Sequence, residues 1–67
     1  MMTGRQFRAI RKRLGLTASQ WGRALGYVGT DASVSVSVYR LEGRKDAVPP
    51  QVELLARFRK RYGIKAP

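Results

Sequence analysis

Phe7, Ile10 and Leu14 recur at spacings of three and four, the period of one helix face, and Arg5, Arg8, Lys12 and Arg13 fill the positions between them. The pattern predicts a first helix over 3–14, starting near Thr3. Gly15 suits the left-handed position that follows a helix end, and Leu16 suits a packing contact onto the next turn. Trp21, Ala24 and Leu25 make a second apolar stripe, which predicts a helix over 18–25 that stops at Gly26. Thr17 is placed to accept from the helix N-terminus while Gln20, three residues on, reaches back to the Thr17 backbone, a capping box. A helix end, a tight connection and a capped second helix are how a helix-turn-helix begins.

The third element is ambiguous by pattern. Residues 33–39 alternate serine with valine at a period of two, and β-branched residues favour strands. Val34, Val38 and Leu41 also fall at i, i+4 and i+7, within a narrow arc of a helix, and Tyr39-Arg-Leu-Glu42 continues with better helix formers. A strand needs a pairing partner, and no other stretch offers one unless two chains form a ribbon. The helix over 32–42 is therefore preferred, with Thr30 or Asp31 as its cap and Gly43 as its end. Arg44 to Val48 reads as a charged loop. Pro49-Pro50 stops any continuation and places a proline at the start of a fourth helix over 50–62. Gly63 closes that helix, and 64–67 is a short basic tail.

These elements describe an all-α fold in a single domain, 1–67, a compact bundle of four to five helices. The expected core is Phe7, Ile10, Leu14, Trp21, Leu25, Val38, Leu41, Val52, Leu55 and Phe58. Trp21 admits a ligand-stacking reading, but its helical spacing with Ala24 and Leu25 favours packing.

Charge turns this bundle toward a function class. Fourteen Lys and Arg oppose four Asp and Glu, a net charge of +10. Such a field favours phosphate-bearing or acidic partners, though it does not specify a fold. Ten of the fourteen cations are arginine, which suits bidentate contacts to phosphate or guanine; a GC-rich genome produces the same bias. The chain has no cysteine and no histidine, which excludes disulfides, thiolate or imidazole metal sites and the usual Cys-His or Ser-His nucleophiles. No enzyme activity, cofactor or small-molecule ligand is expected. No apolar run approaches the roughly 18 residues of a membrane span, and no apolar stretch of a signal peptide follows the basic N-terminus. The expected location is the cytoplasm of a prokaryotic cell.

Ile10-Arg11, Leu14-Gly-Leu-Thr17, Trp21, Ala24-Leu-Gly26 and Val38-Tyr-Arg-Leu-Glu-Gly43 together resemble the Cro/C1-type helix-turn-helix family, also called the XRE family. The resemblance runs from about Phe7 to Phe58. It implies a lambda-repressor-like DNA-binding domain, and a structural ion pair between Arg11, late in the first helix, and Glu42, at the end of the third. Two departures bear on the register of the third helix. The family has one residue between that glutamate and the following glycine, whereas Glu42 and Gly43 are adjacent. The connection between Gly26 and Val38 is also about five residues longer than its commonest form. The Gly22-Arg-Ala-Leu-Gly-Tyr27 stretch and the extended turn are similar to those of compact phage-borne regulators, including anti-CRISPR-associated repressors.

On this reading, burial of Val34, Val38 and Leu41 turns the opposite face, with Ala32, toward a base pair. The candidates for base contacts are Ser33, Ser35, Val36, Ser37, Tyr39 and Arg40; the bland alternative is a solvated serine-rich face. Phosphate contacts fall to Thr17, Ala18 and Gln20 at the start of the second helix, where free amides favour anions, and to Arg44 and Lys45 in the loop. Arg8, Arg13 and Arg23 read as solvated charges, and the Arg57-Phe-Arg-Lys-Arg61 run as the outer face of the fourth helix. Small single domains gain stability from a partner subunit, so a homodimer is expected, with Leu54, Phe58 and Tyr62 as interface candidates. The expected function is a sequence-specific double-stranded DNA-binding regulator, a homodimeric repressor of an inverted-repeat operator. The rival is a protein-interaction module, an antitoxin or inhibitor using the same basic face, with a non-specific nucleic-acid binder behind it.

Overall fold

Two leucine–glycine pairs end the first two helices in the same way. Leu14 and Leu25 cap them; Gly15 and Gly26 follow with φ of 72° and 95°, a left-handed conformation that a Cβ would disfavour. The Leu16 amide then reaches back to the Arg11 carbonyl and the Tyr27 amide to that of Gly22, while the glycine amides bond Lys12 and Arg23. Both are Schellman motifs. They reverse the chain twice and set the order of the bundle.

The computed structural model describes residues 1–63; the basic tail at 64–67 lies outside the described residues. The protein is all-α, with helices α1 (Gly4–Arg13), α2 (Ala18–Ala24), α3 (Asp31–Glu42) and α4 (Pro50–Tyr62). Among the described residues there is no strand, only one antiparallel bridge between Thr3 and Ala47. The Ser-Val alternation is thus helical: its valines at 34 and 38 turn inward and Val36 outward.

Threonines start the first three helices. Thr3 and Thr17 each accept from the amide three residues on at 3.2 Å, and Gln6 and Gln20 return the contact to the threonine amides at 2.9 Å. Thr30 caps α3 through the Ser33 amide, where serine is too short to close the box. Pro50 opens α4 with no side-chain cap, as its ring already holds the helical φ.

Trp21 and Phe7 are fully buried, with ring centroids 5.5 Å apart. Ile10, Leu25, Val38 and Leu41 close around them, and Leu14 and Val52 pack at the margin. Met2, Ala18, Val48 and Ala56 also belong to this core, which the apolar pattern did not reveal. The indole Nε1 of Trp21 is buried without a hydrogen-bond partner among the described residues, a local cost of about 1–3 kcal/mol.

Leu55 and Phe58 are not core residues; both are exposed. Their place against the bundle is taken by Ala56 and by Arg59, whose Nε donates to the Ala24 carbonyl at the end of α2, 3.0 Å away. The loop before α4 is likewise more than a charged turn. The Val48 amide donates to the Met2 carbonyl at 2.8 Å, Val48 is buried, and the Met2 amide donates to Glu53 Oε1 at 2.7 Å.

Candidate nucleic-acid interface

Glycine allows α2 and α3 to approach closely. A Cβ on Gly22 would collide with Val34 Cγ1 and come within 3.0 Å of Val38 Cγ2. At the other end of α3, a Cβ on Gly4 would stand 2.5 Å from the Leu41 carbonyl oxygen and 2.7 Å from that of Glu42. The buried side of α3 is therefore clamped between α2 and the first turn of α1. A lone glycine inside a helical pattern was the sequence signal for Gly22; nothing local marked Gly4.

The clamp is tightened by charge. Arg11 binds Glu42 in a fork, Nε to Oε2 at 2.7 Å and Nη2 to Oε1 at 3.3 Å, and its Nη1 donates to the Leu16 carbonyl at 3.1 Å. The side chains are only 12% and 6% exposed. Arg8, expected to be solvated, stands 3.8 Å from Glu42 as well. At the start of α3, Arg23 donates to Asp31 Oδ1 from Nε at 3.2 Å and from Nη2 at 2.7 Å, and to the Gly29 carbonyl at 2.9 Å. It is not a free surface charge: it ties down the long α2–α3 connection. No sequence pattern singled it out, because its two partners lie across a turn whose path the sequence leaves open.

With α3 held on that side, Ala32, Ser33, Val36, Tyr39 and Arg40 form its exposed face. Ser35 and Ser37 sit on the half-buried shoulders, and the Ser37 hydroxyl donates to the Ser33 carbonyl at 3.2 Å. The full set of six candidates is therefore not brought to one surface; Ser33, Val36, Tyr39 and Arg40 are.

The phosphate candidates divide in the same way. Ala18 is buried, so only its backbone faces a ligand at that position. Thr17 and Gln20 are exposed but spend their oxygens on the capping box. Arg44 lies 3.6 Å from Asp46, both solvent-facing, and Lys45 is exposed and makes no ion pair among the described residues.

All four acidic side chains are engaged within the fold: Asp31 by Arg23, Glu42 by Arg11 and Arg8, Asp46 by Arg44, and Glu53 by Arg57 and the N-terminal ammonium. Arg5, Lys12, Arg13, Arg40, Lys45 and Lys60 make no ion pair among the described residues. The excess positive charge thus faces outward. Glu53 has its carboxyl held below the ordinary 4.5, first by the Arg57 hydrogen bond and then by the Met2 amide.

The same region carries no feature of a metal centre. Among the described residues no three potential ligands gather, and no helix is long and apolar enough to cross a membrane. Compared with family models, curated proteins and solved structures, the chain finds no match.

Proposed function

We propose that this chain is a sequence-specific double-stranded DNA-binding regulator, a homodimeric repressor that lays α3 in the major groove of an inverted-repeat operator. The observation that carries the reading is the disposition of α3. One side is locked by Gly22, Gly4 and the Arg11–Glu42 pair, while the other presents Ser33, Val36, Tyr39 and Arg40, which makes no ion pair among the described residues. A rigid helix with short polar side chains and one guanidinium suits base-edge recognition. Arg40 forks onto guanine O6 and N7, serine hydroxyls donate or accept, and the Val36 methyls meet a thymine methyl.

Lys45 and Arg44 hold phosphate beside that helix, with the outward cationic surplus drawing the duplex in. Two copies about a two-fold axis would set their α3 helices about 34–36 Å apart, one turn of duplex.

The test is fluorescence anisotropy against duplexes tiled across the DNA flanking the gene, with scrambled duplex as competitor. Tight binding to one inverted repeat that survives the competitor is the expected result. With about 6–10 phosphate contacts, affinity should fall about 10³–10⁵-fold between roughly 50 and 200 mM salt. Arg40→Ala should relax sequence preference by about 1–3 kcal/mol per half-site, whereas Lys45→Ala should weaken all duplexes alike. Equal, weak and salt-labile binding to every duplex would reject the reading and favour a protein-binding role for the basic face.

A further inference from the structure

Away from the α3 face, α1 and α4 enclose a half-open groove of about 240 Å³. Its floor is apolar, made of Met2, Ala9 and Ile10, and its rim carries Arg13, Lys60 and Gln6, with Arg57 alongside. At 100° per residue, Gln6, Ala9 and Arg13 occupy one flank of α1, and Arg8 and Arg11, which reach Glu42, occupy the other. The groove is therefore a separate surface from the α3 interface. Glu53 fixes one wall by accepting from both the Met2 amide and Arg57.

We propose that this groove docks an acidic peptide segment of a partner protein, one that seats an aliphatic side chain on the floor between two carboxylates. Charge complementarity selects the occupant. Arg13 and Lys60 make no ion pair among the described residues, whereas each of the four acidic side chains of this chain already faces a cation of its own, so an acidic segment of another protein complements the groove better than a second copy of this basic chain. The volume is below the roughly 300 Å³ at which small-molecule pockets begin, and it suits one or two side chains. A duplex presents phosphates outermost and keeps its apolar thymine methyls recessed in the major groove, where a concave floor does not reach them. The proposal stands independently of the DNA reading.

The probe is the peptide acetyl-Glu-Asp-Leu-Leu-Glu-Asp-amide, titrated into the isotopically labelled full chain and followed by amide chemical shifts. Shifts are expected at Gln6, Ala9, Ile10, Arg13 and Lys60, with the Gln/Asn counterpart of the peptide binding weakly. The Arg13→Glu/Lys60→Glu double variant should lose about tenfold or more in affinity through like-charge juxtaposition. Ala9→Leu, which leaves the charge intact, should also block binding by filling the floor. Shifts that scatter over the basic surface, or that leave the groove untouched, would overturn the proposal. So would equal groove shifts produced by a random duplex, or by concentrating the protein without peptide.

Discussion

Arg11 on α1 and Glu42 at the last position of α3 are joined by two hydrogen bonds in a nearly dry setting, and the same guanidinium ties down the Leu16 carbonyl at the α1–α2 turn. One side chain thus fixes three segments at the end of the proposed recognition helix. Removing Glu42 leaves the Arg11 guanidinium without its carboxylate, and removing Arg11 leaves Glu42 only the longer contact to Arg8 at 3.8 Å. Glu42→Ala should destabilise the fold by about 3 kcal/mol, the lower end for a broken buried pair because Arg11 keeps Leu16 and some solvent. Replacing both, as Arg11→Met with Glu42→Leu, should cost much less than the single change. Urea unfolding of the wild type, both single variants and the double variant checks this; a double-variant loss equal to the sum of the two single losses would show that the pair is not coupled.

Gly22 and Val34 define the α2–α3 spacing. Alanine at position 22 would gain about 1 kcal/mol in helix propensity but drive its methyl into the Cγ1 of a buried valine. Overpacking costs about 1–3 kcal/mol, so Gly22→Ala should come out destabilising by about 1 kcal/mol. Val34→Ala in the same background should recover part of that loss, although alone it opens a cavity. Thermal denaturation reads the cycle, and a stabilised Gly22→Ala would mean that the helices separate without penalty.

These two contacts also show where the sequence was readable. Caps and helix ends were legible because they are local: Thr17 with Gln20, and Leu14-Gly15-Leu16, act within a few residues of themselves. The face of α3 was legible once Val34, Val38 and Leu41 were weighed against the period-two alternation, since the sequence offered no partner strand. What escaped were residues whose role depends on distant neighbours. Met2, ahead of α1, and Val48, in the loop before α4, meet through a backbone bond, Gly4 meets the carbonyls of α3, and Arg23 closes a turn. Phe58 and Arg59 illustrate the limit most directly. Adjacent on a helix, they point about 100° apart, and hydrophobicity chooses Phe58 for the interior. The structure instead turns the half-buried Arg59 toward the bundle, where its long stem reaches the end of α2.

Glu53 gives the fold an acid-side dependence. Its folded-state pKa is lowered by Arg57 first and the Met2 amide second, so its contribution is fully present above the unfolded value of 4.5 and is lost as pH falls through the lower folded value. Glu53→Gln should therefore be less stable than the wild type at neutral pH, and the two melting curves should converge as pH falls below the ordinary carboxylate range. A gap that stays constant down to strongly acidic pH would mean that Glu53 acts by shape, not by charge.

Leu54, Phe58 and Tyr62 lie one turn apart on the outer face of α4, exposed by 69, 50 and 61%, with the Phe58 and Tyr62 rings 4.9 Å apart. Leu55 flanks them, so the proposed dimer has an apolar stripe to bury. The same helix carries Arg57, Arg59, Lys60 and Arg61 against one acid, Glu53, and two such helices repel. Salt screens that repulsion while strengthening apolar burial. Self-association measured by sedimentation should therefore tighten as salt rises, opposite to the salt dependence expected for duplex binding. Leu54→Arg should remain monomeric across the same concentrations while its monomer stability stays within about 0.5 kcal/mol of wild type, because the side chain is mostly in water. A Leu54→Arg protein that dimerises as before would remove α4 from the interface, and dimerisation that weakens with salt would place the contact on charged groups elsewhere.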